Sequence, residues 1–369
     1  MSTDEEIMTS ALKLAARGIA SVEPNPAVGC IIVKAGQVIG RGWHRKFGGP
    51  HAEINALADC ETLGVKPEGA TMYVTLEPCC HEGKTGPCTQ AIIAARLAKV
   101  VVATIDPSAH ASGKGIGQLQ NAGIEVQVGV CESQAKLLNA PFFKFVTTGK
   151  PWVVAKWAQS IDGKVAYAQK SDEQQLISNE LSRADAHKLR RRVGAIVVGV
   201  NTVIADNPML TPRPSRGKRP IRVVLDRSLR IRLGCRLLHT TKTSPTVVCT
   251  TKTAAKASPN LVERIVKKGA EVLVCPAEKS NLNFLLSELG KRGVQQVLVE
   301  GGPKVLTSFL KEGLADEICV YIAPKILGGS GAVPISEAMS ELTGGVGLHH
   351  VDIKPFGNDV RLTGLTKVE

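Results

Sequence analysis

Three soft or borderline metal ligands stand at the ends of predicted elements early in the chain. His51-Ala52-Glu53 opens a helical pattern, the strand-like run 70–76 leads into Glu77-Pro78-Cys79-Cys80-His81, and Cys88 stands where the next helix starts. Two thiolates and an imidazole make the donor set of a catalytic zinc site, which takes three protein ligands and keeps a fourth position for water. His51, Cys79 and Cys88 are the expected ligands, with the adjacent Cys80 as the alternative thiol. Glu53, on the same helical turn as His51, can face the metal without ligating it and carry protons between water, a ring nitrogen and a leaving amine. His-x-Glu followed by Pro-Cys and a second Cys is the pattern of hydrolytic zinc deamination. The pattern departs in one respect: residues 80–87 separate the two cysteines, where a strict C-x-x-C allows only two. Buried cysteines beside an unrelated surface histidine would require three chance placements at element ends.

The elements that must position these residues alternate. Thr3 and Glu6 have capping-box spacing ahead of an apolar stripe through Ile7, Leu12 and Ile19. Residues 27–33 and 38–43 flank a short turn and read as a hairpin. Helical patterns over 51–63, 89–97 and 116–122 then alternate with strand patterns over 70–76, 99–104 and 124–128, which predicts a layered α/β sheet. The polar segment 147–151 is the expected linker, giving domains 1–147 and 151–369.

The second half restarts with a strand at 152–157 and continues through β-rich runs at 195–200, 221–225, 246–250, 271–275 and 296–300. The last of these enters Gly301-Gly302-Pro303 and a helical stripe with Val305, Leu306, Phe309 and Leu310. A glycine turn meeting a helix N-terminus offers bare N–H groups and the positive end of the helix dipole to a phosphate. It is not a G-x-G-x-x-G fingerprint, so the usual Rossmann reading is unsupported.

With 43% hydrophobic and 21% charged residues the chain is globular, and no apolar run is long enough to span a bilayer. Its acidic first residues do not read as a signal peptide, so a cytoplasmic location is expected. Ten cysteines in 369 residues are too sparse for a disulfide scaffold. The net charge of +13 is uneven, with 14 basic and 13 acidic residues in 1–150 against 32 and 20 in 151–369. The segment 183–236 alone holds 14 basic and 3 acidic residues, but no aromatic side chain of the kind that stacks on single-stranded nucleic acid. Arg190, Arg213 and their neighbours instead suit phosphate groups on a small substrate and on a nicotinamide cofactor.

His51-Ala52-Glu53 with the run from Tyr73 to Cys88 resembles the deaminase domain of the bifunctional riboflavin-biosynthesis deaminase/reductase family, whose mark is the long insert between cysteines. Lys156-Trp157-Ala158-Gln159-Ser160-Ile161-Asp162-Gly163, the run from Gly199 to Leu210, and Val299-Glu300-Gly301-Gly302-Pro303 resemble its reductase domain, in the same order. The resemblance implies a cytidine-deaminase-like three-layer domain followed by a dihydrofolate-reductase-like domain. It implies one Zn2+ and NADPH as cofactors, and a diaminopyrimidinone carrying a ribosylamino 5′-phosphate as substrate. Glu53 falls at the catalytic position, and Asn25, His44, His81 and Lys84 at the deaminase's substrate positions. Ala158, Thr202, Asp206, Gly302, Pro303, Lys304, Val305, Leu306, Thr307 and Ser308 fall at cofactor positions of the reductase. Lys156, Arg190, Leu210, Arg213 and Glu300 fall on its substrate side. In the stretch 172–176 the alignment shifts by one residue, with Leu176 where the family usually has Trp.

The expectation is a cytoplasmic homo-oligomeric enzyme of small molecules, free of membrane and nucleic acid. Zinc hydrolysis comes first and NADPH reduction of the ribosyl side chain second. The rivals are a nucleic-acid base deaminase with a basic RNA-binding domain, and a zinc-stabilised ligand sensor without catalysis.

Overall fold

In a computed structural model, residues 3–81, 86–108, 111–167, 176–214, 219–276, 282–329, 332–340, 342 and 344–367 are described. The chain divides into two compact units, Met1–Gly149 and Lys150–Glu369.

The first unit runs α1 (Asp4–Ala15), β1 (Gly29–Lys34), β2 (Gln37–Trp43), α2 (Ala52–Thr62), β3 (Thr71–Val74) and α3 (Cys88–Ala94). It continues with β4 (Lys99–Val102), α4 (Lys114–Asn121), β5 (Glu125–Val128), α5 (Glu132–Leu138) and α6 (Ala140–Thr148). The strands form one sheet in the order β2-β1-β3-β4-β5, in which β1 is antiparallel to both neighbours and β3, β4 and β5 are parallel. Strand alternation decides the layers. Cys30, Ile32, Met72, Val74, Val100 and Val102 meet Ala52, Ala56, Ile92 and Leu119 on one face. The residues between them, Ile31, Tyr73 and Val101, meet Met8, Ala11, Leu14 and Ala135 on the other. Three layers result, as expected.

The capping box is present, with Thr3 and Glu6 each accepting the other's backbone N–H. The stripe through Ile19 is not one helix: α1 stops at Ala15 and a single 3-10 turn follows. There Gly18 presses on the backbone of His44, where a Cβ would stand 2.5 Å from the carbonyl oxygen, and Ala20 reverses the chain with φ 70°. The hairpin turns at Ala35 and Gly36, both at positive φ, the twist that two-residue hairpin loops require.

What sets α2 on the sheet is the absence of two side chains. A Cβ on Gly42 would strike the carbonyl of Ala52, and one on Gly40 that of Ala56 and the Cys60 thiol. Glycines two apart on β2 thus face small residues four apart on α2, matching the strand and helix repeats. The helix lies close enough to bring its first turn, with Glu53, against the end of β3.

The second unit opens with β6 (Trp152–Ser160), β7 (Lys164–Ala166), α7 (Glu180–Arg192), β8 (Ala195–Gly199), α8 (Val200–Asp206), β9 (Ile221–Leu225) and α9 (Arg236–His239). Next come β10 (Thr246–Thr251), α10 (Lys252–Ala257), α11 (Pro259–Lys267), β11 (Glu271–Cys275), α12 (Leu282–Lys291), β12 (Gln296–Val299) and α13 (Pro303–Lys311). It closes with β13 (Glu317–Ala323), β14 (Val333–Pro334), α14 (Ile335–Met339), β15 (His349–Phe356) and β16 (Asp359–Leu365). Nine strands form one sheet in the order β11-β10-β9-β8-β12-β6-β13-β16-β15. Pairing is parallel from β11 to β13 and antiparallel beyond. After β8 the chain moves toward β9 on one side, and after β12 toward β13 on the other. The gap between their carboxyl ends is a topological switch point, where open α/β sheets bind ligands.

Gly42→Ala should force α2 off β2, destabilising the first unit by about 2 kcal/mol and weakening zinc retention. Urea unfolding followed by zinc release to a chromogenic chelator checks this.

Candidate active sites

The parallel strand β3 ends where the loop through Pro78 delivers Cys79, α3 begins at Cys88, and His51 is the N-cap residue of α2. Three element ends therefore converge. The Nδ1 atom of His51 lies 3.4 Å from each of the Cys79 and Cys88 sulfurs, and the three donor atoms lie within 4.8 Å of one another. Tetrahedral zinc with ordinary Zn–S and Zn–N bonds spaces its donors about 3.5 Å apart, so the two His51–sulfur separations suit the ion. Cys80, the alternative thiol, is outside this group. The Cys88 backbone N–H donates to the Cys79 sulfur at 3.3 Å. The two thiols share charge unequally: the hydrogen bonds from Cys88 and then His51 hold the Cys79 thiol well below its ordinary range, whereas Cys88 is pushed up by Cys79 and by burial. Metal ligation needs both as thiolates, so loading the site must release a proton.

Glu53 is 3% exposed and reaches this centre without being one of the three donors. Burial, then the charge on Cys79, raises its carboxyl to about 7. A carboxyl near neutrality can both take and return a proton.

Asn25 Nδ2 lies 3.2 Å from His44 Nε2, and His44 Nδ1 lies 3.0 Å from the carbonyl of Pro50. A carbonyl only accepts, so Nδ1 carries the proton and Nε2 accepts from Asn25. His44 is 1% exposed, its pKa is lowered by burial, and its ring packs edge-on against His51 with centroids 5.2 Å apart. The structure thus brings Asn25 and His44 to the metal ligands. His81 is exposed, and Lys84 lies outside the described residues.

Two buried polar residues at this site were given no role by the sequence reading, although Glu77 lies within the quoted motif. Glu77, 5% exposed, accepts backbone N–H groups of Asp106, Gly113, Gly115 and Ile116 at 2.9 to 3.3 Å. It caps the start of α4 and fastens it to the loop carrying Cys79. Asn139, 4% exposed, holds both backbone groups of Ala27, two residues from Asn25.

In the second unit the switch point is lined by the residues expected to hold the cofactor. A Cβ on Gly302, the N-cap of α13, would lie 3.5 Å from Thr202 Oγ1 on α8, and one on Gly199 would lie 2.9 Å from Val305. Gly302 thus turns its side-chain-free face toward Thr202, at the N-terminal end of α13. Ala158 is on β6 and half-buried, and Asp206 closes α8 and is exposed. Along α13, Pro303, Val305 and Ser308 are half-buried and Lys304 is exposed. The side chain of Leu306 is instead part of the core, and Thr307 donates to the Pro303 carbonyl at 2.9 Å.

Beside the glycine turn, Glu300 receives Arg190 through Nε at 2.9 Å and Nη2 at 2.7 Å. Its other oxygen, buried, makes no hydrogen bond among the described residues and faces Lys156 Nζ at 3.9 Å. Burial alone would raise this carboxyl, but the charges of Arg190 and Lys156 outweigh it and hold the pKa below the ordinary value. Arg190 also donates to the carbonyl of Thr211 at 3.4 Å, tying in the segment of Leu210 and Arg213. Leu210 is buried at φ 51°, and Arg213 is exposed. His187, one turn before Arg190 on α7, was not anticipated; burial and the charges of Arg190 and Arg213 lower it to about 4 and keep it neutral. The i, i+3 spacing of His187 and Arg190 was the only signal for it. Of the stretch 172–176, residues 172–175 lie outside the described residues, and Leu176 is exposed.

A hydrolytic zinc deaminase unit followed by a nucleotide-binding reductase unit is the class of protein that this fold and these sites define. Residues 1–104 match the family of the cytidine and deoxycytidylate deaminase zinc-binding region, and residues 151–362 match the RibD C-terminal domain. The riboflavin biosynthesis protein RibD of Aquifex aeolicus is 47% identical over 88% of both chains, and that of Escherichia coli is 40% identical over 88% of this chain and 89% of its own. The structure of Acinetobacter baumannii RibD superposes with TM-score 0.81 at 37% identity, covering 98% of both chains. A diaminohydroxyphosphoribosylaminopyrimidine deaminase/5-amino-6-(5-phosphoribosylamino)uracil reductase from Thermotoga maritima does so with TM-score 0.80 at 33% identity, over 98% of this chain and 97% of that one. The chain belongs to the RibD family of bifunctional riboflavin-biosynthesis deaminase/reductases. Among the described residues, no helix is long and apolar enough to cross a membrane.

Arg190→Met should leave the Glu300 carboxylate buried with only Lys156 nearby, costing the second unit about 3 kcal/mol at neutral pH. Because the folded-state pKa of Glu300 is lowered, the stability it contributes is present above its unfolded pKa and is lost as pH falls through the folded value. Urea midpoints of wild type and Arg190→Met should therefore converge on acidification.

Proposed function

We propose that the first unit deaminates a diaminopyrimidinone bearing a ribosylamino 5′-phosphate, and that the second reduces the ribosyl side chain of the product to ribityl with NADPH. The observation that carries the reading is the buried carboxylate of Glu53 beside two thiolates and an imidazole spaced for zinc, in a chain whose other unit is a reductase. Bound by His51, Cys79 and Cys88, zinc supplies the Lewis acidity that makes water nucleophilic at neutral pH. Glu53 takes one proton from the attacking water as the C–O bond forms and delivers it to the ring nitrogen, then carries the remaining hydroxyl proton to the amino group, which leaves as ammonia when the C–N bond breaks. Asn25, its amide oriented by His44, holds the pyrimidinone edge, and His81 and Lys84 meet the ribose phosphate.

In the reductase, NADPH supplies a hydride to C1 of the opened ribosylamino group. Gly302 and the start of α13, with Thr202, hold its phosphates, and Ala158 and Asp206 complete the site. Glu300 and Lys156 orient the ribose hydroxyls, for which the unsatisfied oxygen of Glu300 is a ready acceptor. Arg190, Leu210 and Arg213 frame the substrate and its phosphate. The same reading makes the enzyme a cytoplasmic homo-oligomer acting on a small molecule. A base deaminase with an RNA-binding module is disfavoured, because residues 151–362 match the RibD C-terminal domain.

Zinc-loaded enzyme given the diaminopyrimidinone substrate should release ammonia without NADPH, then oxidise NADPH only after that release. Neither signal from folded, metal-loaded protein would overturn the assignment. Glu53→Gln should keep one zinc per chain, lose deamination by at least about 10³-fold, and leave reduction of the deaminated intermediate intact. Gly302→Val should raise the KM for NADPH at least about tenfold while ammonia release continues unchanged.

A further inference from the structure

The segment that presents Asn25 to the substrate has little backbone with which to hold itself. Pro24 and Pro26 carry no N–H, and the N–H of Asn25 donates to the Val22 carbonyl at 2.9 Å. Ala27 is the first residue after Asn25 with both backbone groups to offer. Both go to one side chain: Asn139 Oδ1 accepts from Ala27 N at 2.9 Å, and Asn139 Nδ2 donates to Ala27 O at 2.9 Å. The amide acts as a one-residue strand, fixing Ala27 in place and direction.

Asn139 is itself held at the junction of two helices. Its N–H reaches the carbonyls of Ala135 and Lys136 at the end of α5, and its carbonyl accepts from Phe143 in α6. The whole arrangement is buried, with Asn139 at 4% exposure and Ala27 at 5%. On the other side of Ala27, the carbonyl of Val28 accepts from the N–H of His44 at 2.9 Å. His44 in turn bonds the Asn25 amide. One end of the segment is thus set by Asn139, and its side chain is oriented by His44.

We propose that Asn139 is a positioning residue for deamination: by clamping both backbone groups of Ala27 it sets where Asn25 meets the pyrimidine. It acts through Asn25 and touches neither substrate nor metal, and it rests on the reading of Asn25 as a substrate contact. Losing the clamp frees the segment without altering the zinc ligands or Glu53, so substrate binding suffers and the chemical step does not.

The test is a double-mutant cycle on the zinc-loaded full chain, with ammonia release from the diaminopyrimidinone phosphate as readout. Asn25→Ala and Asn139→Ala should each raise the deaminase KM about tenfold, as loss of one or two hydrogen bonds implies. The kcat, zinc content and KM for NADPH should stay within about threefold of wild type. The double variant should be no worse than Asn25→Ala alone. Multiplying effects in the double variant, or a fall of kcat together with zinc content in Asn139→Ala, would show a merely structural role and overturn the proposal. If Asn25→Ala itself keeps the wild-type KM, the substrate reading of Asn25 falls and the proposal with it. Should Asn139→Ala not fold, Asn139→Ser serves: it stays neutral and polar, is too short to hold both backbone groups of Ala27 at once, and should show the same KM-only defect.

Discussion

A carboxylate that touches neither metal nor substrate holds the deaminase centre together. Glu77 receives four backbone N–H groups from residues 106–116 and lies two residues from Cys79. A buried charge is tolerable when it is hydrogen-bonded this fully or paired with opposite charge. The tolerance works in both directions, since the N-terminus of α4 needs an acceptor and the carboxylate needs donors. Gly115 packs so tightly here that a Cβ would strike the Pro78 carbonyl. Cys79 is thereby fixed against a helix that contributes no ligand, and the zinc geometry inherits that rigidity.

The second unit handles its buried charges in two different ways. Glu300 is compensated by Arg190 and Lys156, and keeps one oxygen unbonded toward the cleft. Arg222, fully buried, is bonded only by neutral acceptors among the described residues: the carbonyls of Met209, Leu237 and Ser244 and the hydroxyls of Thr240 and Thr246. Burial pulls its pKa down to about 10. The first arrangement leaves capacity for a ligand, whereas the second spends the charge on tying Met209, next to Leu210, to the turn around α9.

The fold class and the zinc ligands were legible because each leaves a local trace. Ligand types at element ends, alternation in β1, β3 and β4, and a glycine turn before α13 are all visible within a few neighbouring residues. The roles of Asn139 and Glu77 were not legible, since their partners lie 112 and 29 to 39 residues away. The run to Ile19 failed for a similar reason: the close approach of Gly18 to His44 is a tertiary fact. Leu306 looked like part of a cofactor motif and proved to face the core, because a helix lining a site must also pack against its sheet. The strands β15 and β16 went unread because most of their side chains are exposed or half-buried, which blurs the apolar alternation.

The placing of β12 has a consequence for how the chain is made. In the reductase sheet, β12 lies between β8 and β6, strands completed 97 and 136 residues earlier in synthesis. Until residues 296–299 emerge, both edges stay unpaired, and an unpaired apolar edge invites wrong partners. The deaminase sheet contains no such deferred insertion; its strands all lie within residues 29–128 and can close early. Zinc can therefore be captured by a growing chain whose reductase half is still open, and the vulnerable interval in biogenesis falls on the later half alone.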